Sequence, residues 1–426
     1  MRLAFGVYAA AVVLAVMWVS VGQLGSSPSP SAPRVELVRR MPAYEPRPLT
    51  PVTSAYRVDG RHSGVSTSVV PLQLVATAVG AGNKGIHSAA KGSPAADASG
   101  FYVGTDDGHL YAFANDGHLR WQVKLANAGQ GVHGTPMLDG ERVYIGAYNG
   151  RLYAFDKNDG RPLWLAVLGD AIGASPTPDG DDLLISVETR APNGYVARLS
   201  RADGHVVWLS DWLGEQSHAS PTVAGDAIFL GANNQDFFAL ARSDGHLLWR
   251  TPVGGDVKGT ACVIGDAVIA ITNAGTAFAL RRTDGGVLWR RELGSEGRGS
   301  VSCLEQSTGA PVSVGLVFVT LGTAAARGGF GTSYALDAAT GEVRWSAPQG
   351  SPRPLMSPLV APDPGGRLFA WFRCDDTALC AYDAWSGVRL SHVELGAPLS
   401  GSPVVYDGGL VVSLDHPGGI VRLVPQ

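Results

Sequence analysis

From about residue 56 onward the chain alternates short apolar runs with glycine-containing turns. Between Thr135 and Trp164 the order is Val143-Tyr144-Ile145-Gly146, Asn149-Gly150, Leu152-Tyr153-Ala154-Phe155, Asp159-Gly160 and Leu163-Trp164. Runs of β-branched and aromatic residues this short read as strands. The turns between them read as hairpins, because glycine accepts the positive φ that tight turns need. The pattern then repeats. A Gly stands four residues before a Trp at Gly117/Trp121, Gly160/Trp164, Gly204/Trp208, Gly245/Trp249, Gly285/Trp289 and Gly341/Trp345, and a seventh copy, Gly387, has Ser391 in the Trp place. Successive glycines lie 40 to 56 residues apart. Inner strands open at Ser93-Pro94, Thr135-Pro136, Ser175-Pro176, Ser220-Pro221, Thr260-Ala261, Ser300-Val301, Ser357-Pro358 and Ser402-Pro403, which makes eight copies. Four strands in each unit of about 40–45 residues is the signature of a propeller blade. The expectation is an all-β protein, an eight-bladed β-propeller of four-stranded blades.

Two copies are stretched: the third at Thr189 to Gly194, and the sixth at Glu305 to Val314 and Ala324 to Gly331. The eighth has room for only three strands before the chain stops at Gln426. Leu72 to Gly80 aligns with Leu247 to Gly254, placing Val75 in the Trp position. This N-terminal strand is therefore expected to complete the last blade and remove the open edge that an unclosed ring would leave.

Ahead of the repeats, Leu3 to Val21 is an uncharged apolar run behind Arg2. It fits either a secretory signal or a membrane anchor, and in both cases the repeats leave the cytoplasm. Residues 1–22 are read as that segment, residues 23–55, rich in Pro and Ser, as an extended linker, and residues 56–426 as the propeller. The membrane is expected to be met only through the N-terminal segment. A net charge of −4 gives no global reason to expect nucleic acid. The expected state is a monomeric propeller.

The run Ala335-Leu336-Asp337-Ala338-Ala339-Thr340-Gly341-Glu342-Val343-Arg344-Trp345 resembles the repeat of the PQQ-like, quinoprotein-type propellers, and the resemblance covers about residues 56–426. It implies that blades dock on one another through Trp121, Trp164, Trp208, Trp249, Trp289 and Trp345. Large aromatics carrying core burial fit that better than stacking platforms for a ligand. Quinoprotein dehydrogenases of this type are longer and cap the quinone with a disulfide between adjacent cysteines. Here no two cysteines are adjacent. The chain is more similar to the BamB-like periplasmic propellers, a scaffold class associated with assembly of outer-membrane β-barrels. That resemblance implies an exported, non-enzymatic platform for a protein or peptide partner, with no cofactor. The alternative is a PQQ- or small-anion-binding protein, or a dehydrogenase.

Candidate chemistry is sparse. The Asp-Gly turns lack the run of oxygen ligands that a calcium loop needs, and His118, His205 and His246 follow such turns as exposed hairpin residues. Cys374 and Cys380 flank a predicted hairpin, where a disulfide fits an oxidising compartment. Cys262 and Cys303, near the starts of neighbouring inner strands, form a second candidate pair, though their registers differ by one residue. Buried free thiols are the alternative. Two residues before each inner-strand Ser/Thr stand Lys91, His133, Gly173, His218, Lys258, Arg298, Leu355 and Ser400. Equivalent positions in a propeller surround the central channel. Lys91, His133, His218, Lys258 and Arg298 are therefore the candidate channel mouth for a partner or an anion. The alternative is solvated side chains, or pairs with acids such as Glu215, Asp256 or Glu296.

Overall fold

The computed structural model describes residues 33, 35, 37–41, 48–79, 92–127, 130–190, 193–294, 296–306, 314–322, 331–349, 356–415 and 419–426. The chain divides into a first unit, Met1–Ala32, and a second, Pro33–Gln426. The apolar N-terminal segment, Lys91 and Leu355 lie outside the described residues. Every regular element among the described residues is a strand, and no helix is long and apolar enough to cross a membrane.

Eight antiparallel sheets follow one another along the chain as the blades of an eight-bladed propeller. Blade 5 shows the plan, with Cys262–Ile264 innermost, then Ala267–Ile271, Thr276–Arg281 and, outermost, Val287–Glu292. Its middle strands are buried on both faces because a neighbouring blade covers each. In the outer strand only Trp289 is buried. In blades 1 to 7 the pairing of the last two strands shifts register near the Trp position, between Ala279 and Leu280 in blade 5. The bulge breaks strict alternation, which frees the outer-strand ring to turn towards the next blade.

Each Trp docks on the glycine turn of the blade that follows. The Trp121 indole N–H donates to the Lys157 carbonyl at 3.0 Å, Trp164 to Arg201 at 3.2 Å, Trp249 to Arg282 at 2.9 Å, Trp289 to Ala338 at 2.9 Å and Trp345 to Ala384 at 3.0 Å. The turn glycines have positive φ, and a Cβ on Gly204 would sit 2.5 Å from the Trp164 ring. Glycine is needed there both for its dihedral and for the space. The core accordingly lies between blades. Ile269 and Trp289 of blade 5 share one cluster with Val317 and Leu336 of blade 6.

The last sheet runs Leu74–Ala78, Gly419–Pro425, Gly409–Leu414, Val404–Tyr406, so the N-terminal strand closes the ring. The expected register is corrected by two residues. Thr77 lies opposite Arg422 where Trp289 lies opposite Ala279, and Val75 pairs with Val424 on an exposed stretch. This seam is fastened without a Trp. The Arg422 guanidinium donates to the Asn115 carbonyl and lies 5.4 Å from the Tyr406 ring centroid. The Tyr406 hydroxyl donates to the Asn115 side chain.

Part of the stretch read as a linker is ordered on blade 2, which becomes six-stranded. Leu37–Arg40 adds to its outer edge, and Val52–Ser54 to its inner edge. Val35, Val38, Met41, Val52 and Ala55 pack on the cluster that holds Trp164. Those scattered apolar residues, lost among prolines in the sequence, are what anchor the segment.

Candidate functional site

The residues that open the inner strands build the axis of the molecule. The backbone N–H of each donates to the hydroxyl of the next: Ser93 to Thr135, Thr135 to Ser175, Ser175 to Ser220, Ser220 to Thr260, Thr260 to Ser300, Ser300 to Ser357, Ser357 to Ser402, and Ser402 back to Ser93. The distances run from 2.8 to 3.1 Å, and all eight residues are buried. This is the work of the Ser/Thr-Pro motif. The hydroxyl bridges blades, and in six copies the proline biases its predecessor to extended backbone and brings no N–H of its own to the crowded axis.

On one side of this ring lies the predicted mouth. His133, His218, Lys258 and Arg298 line a single cavity of about 110 Å³ together with Tyr56 and the ring residues. Two of the four are paired with acids, though not the acids adjacent in sequence. His133 Nε2 meets Asp106, and His218 Nδ1 lies 3.0 Å from Glu188. In each pair the acid comes from the preceding blade. Tyr148 lies between the pairs, its ring 4.3 Å from that of His133, and a Cβ on Gly173 would come 2.7 Å from its hydroxyl. Burial, then Glu188 and Asp106, hold the Tyr148 phenol protonated well above the ordinary range. Lys258, half-buried, and Arg298, exposed, make no ion pair among the described residues. Asp106 and Tyr148 were missed in the sequence. Their signal is a polar residue two places after a second-strand glycine, as in Gly104-Thr105-Asp106, Gly146-Ala147-Tyr148 and Gly231-Ala232-Asn233.

The other side of the ring is crossed by residues 56–66. The Tyr56 hydroxyl reaches Ser300 Oγ at 2.9 Å and Ser357 Oγ at 3.4 Å. Arg57, buried at positive φ, donates to the carbonyls of Val301 and Pro358 on blades 6 and 7. His62, also buried, contacts Tyr56 O through Nδ1 at 3.0 Å and, on blades 3 and 4, Thr177 Oγ1 and Pro221 O through Nε2 at 3.1 and 3.0 Å. Val65 bridges to Val360 of blade 7. One short segment thus spans the channel, held by blades 3, 4, 6 and 7.

Burial is the largest influence on His62 and holds its imidazole below the ordinary range. The Pro221 and Tyr56 carbonyls and Asp59 partly offset this, and Arg57 adds to it. A folded-state value below the unfolded one means that the unfolded chain takes up the proton first as pH falls. The contribution is therefore complete above about pH 6.5 and drains away below it. We expect Tm to fall between about pH 7 and 5 by more in the parent than in His62→Gln. Parallel pH profiles of Tm for the two proteins would refute the assignment.

The remaining candidates are placed simply. Cys262–Cys303 joins the inner strands of blades 5 and 6, with Cα atoms 5.9 Å apart. Cys374–Cys380 spans a hairpin of blade 7, with Cα atoms 5.6 Å apart. The Asp337 carboxylate accepts the backbone N–H groups of Ala339 and Thr340 in its own turn and pairs with Arg344. His118 and His205 lie beside Asp116 and Asp203 of their own turns.

Comparison with known proteins agrees with this architecture. A search of the curated proteins finds no match. BamB from Moraxella catarrhalis superposes with a TM-score of 0.58 at 18% identity, covering 83% of this chain and 97% of that one. A europium-containing methanol dehydrogenase gives a TM-score of 0.63 at 13% identity, covering 85% of this chain and 89% of the other. The quinohemoprotein alcohol dehydrogenase from Comamonas testosteroni gives 0.63 at 15% identity, covering 88% and 80%. At such identities these likenesses are of fold. The family model described as outer membrane protein assembly factor BamB matches residues 73–184 and 192–370, and with its eight closed blades the chain belongs to that PQQ-like propeller family.

Proposed function

We propose that this protein is an exported, non-enzymatic propeller scaffold of the cell envelope, which binds an acidic loop or extended peptide of a partner protein at the mouth lined by His133, His218, Lys258 and Arg298. The observation that carries the reading is the asymmetry of the channel. One side of the hydroxyl ring is spanned by the chain's own residues 56–66, while the other presents two cations that make no ion pair among the described residues. In the sequence, Lys91 precedes the first inner strand at the equivalent position. The apolar segment Leu3 to Val21 would export the scaffold or tether it.

Size argues for a side chain rather than an organic cofactor. Ligand pockets commonly enclose about 300–1,000 Å³, whereas this cavity holds about 110 Å³. That suits an aspartate or glutamate side chain entering on a loop better than a tricyclic quinone. Asp106 and Glu188 are already engaged by His133 and His218. The residues therefore fit PQQ poorly.

Lys258→Glu/Arg298→Glu reverses two charges without touching the core. We expect unchanged melting, loss of the partner captured by in-cell crosslinking, and, in the parent alone, binding that weakens with salt. Capture of the same partners with the same salt dependence by the variant would sink the proposal. So would a visible chromophore acquired by the parent on adding PQQ and calcium.

A further inference from the structure

Blade 7 carries a cluster that the mouth does not use. Cys374 and Cys380 flank the hairpin between Leu368–Arg373 and Ala378–Asp383, and His392 stands on the outer strand directly opposite Cys380. His392 Nδ1 lies 3.4 Å from Cys380 Sγ and 3.7 Å from Cys374 Sγ. The three donor atoms fall within 4.8 Å of one another. On its other side His392 Nε2 is 3.8 Å from a Glu394 carboxylate oxygen. The ring thus presents Nδ1 to the two sulfurs and turns Nε2 towards Glu394. A carboxylate behind an imidazole is how ligating histidines are commonly oriented.

We propose that this hairpin is a redox-gated metal site: oxidised, it is a disulfide; reduced, the two thiolates and His392 Nδ1 hold one monovalent copper ion. Two soft sulfurs and one imidazole suit Cu(I), which accepts three ligands, whereas zinc in a structural site takes four. Reduction requires a dithiol donor. Its first thiolate attacks one sulfur and the Cys374–Cys380 bond breaks. Its second thiolate then resolves the mixed disulfide, leaving the donor oxidised and both cysteines as thiols. Metal binding releases the two thiol protons to water. The second pair, Cys262–Cys303, sits among Ile269, Val301 and Val317, and among the described residues only the blade 7 pair is grouped with a third metal-ligating side chain.

The test uses the purified full chain, treated with dithiothreitol, desalted without oxygen and titrated with Cu(I) against a chromophoric chelator. Reduced parent should bind one ion that the disulfide form does not. Cys374→Ser/Cys380→Ser should lose that ion, and His392→Ala should weaken it by about tenfold or more. X-ray absorption should show a nitrogen neighbour in the parent that His392→Ala lacks. His392 is exposed, so its variant should melt like the parent, which keeps a negative result interpretable. Equal Cu(I) affinity in parent and His392→Ala would overturn the proposal. So would Cu(I) binding to the oxidised form, or a zinc ion that copper fails to displace.

Discussion

Deleting residues 56–80 should cost the protein most of its stability, so that it aggregates or melts far below the parent. The deletion strips the outer strand from Gly419–Pro425 and leaves a row of backbone groups unpaired. It removes the buried side chains of Val70, Leu74 and Val79 from the clusters on either side of the seam. At about 1.5–3 kcal/mol for each buried apolar side chain, that loss alone approaches the 5–15 kcal/mol typical of a folded protein. The bonds from Tyr56, Arg57 and His62 to the ring and blades 3, 4, 6 and 7 go as well. Circular dichroism melts and size-exclusion chromatography will report the result. A truncated chain that melts with the parent would show that the ring holds without its closing strand.

The second large effect is expected at Trp164. Its ring is fully buried and lies against Gly204 of the next blade, and its strand is covered by the added edge strand, in which Arg40 pairs with it. Trp164→Ala should cost about 3–5 kcal/mol in urea unfolding, the usual range for emptying an aromatic site. Trp249 is only partly buried, although Phe229 and Phe237 surround it, so Trp249→Ala should cost less. The reverse order would mean that burial at the blade interfaces does not set the energy.

The blades could be read from the sequence because at six blade interfaces a Trp ring lies against a turn glycine that has no room for a Cβ, which gives the repeat its recurring Gly and Trp positions. The closing strand could be identified but not registered. A slip of two residues leaves every side chain on its original face, so the apolar pattern of Leu72 to Val79 fits opposite Gly419–Pro425 equally well with Val75 or Thr77 in the Trp place. With no Trp and no bulge there, nothing local distinguished them. Position relative to the inner-strand Ser/Thr was enough to bring His133, His218, Lys258 and Arg298 to one cavity. Their partners were hidden because Asp106 and Glu188 belong to other blades, and such pairing is a property of the ring and not of one repeat. The role of Tyr56, Arg57 and His62 was hidden for the same reason, since their bonds span 115 to 301 residues of sequence.

The eight hydroxyl bridges at the axis act together as a hoop. Each donor points the same way round, so a blade that leans outward must open the bridge on both its sides, at about 1 kcal/mol net for each. Its neighbours then lose the anchor that fixes their own angle. An aperture tied in this way is a gauge of constant bore. If the proposed partner enters the mouth, it would be selected by its girth, with any accommodation falling to the loops above the hoop and not to a widening of the hoop itself.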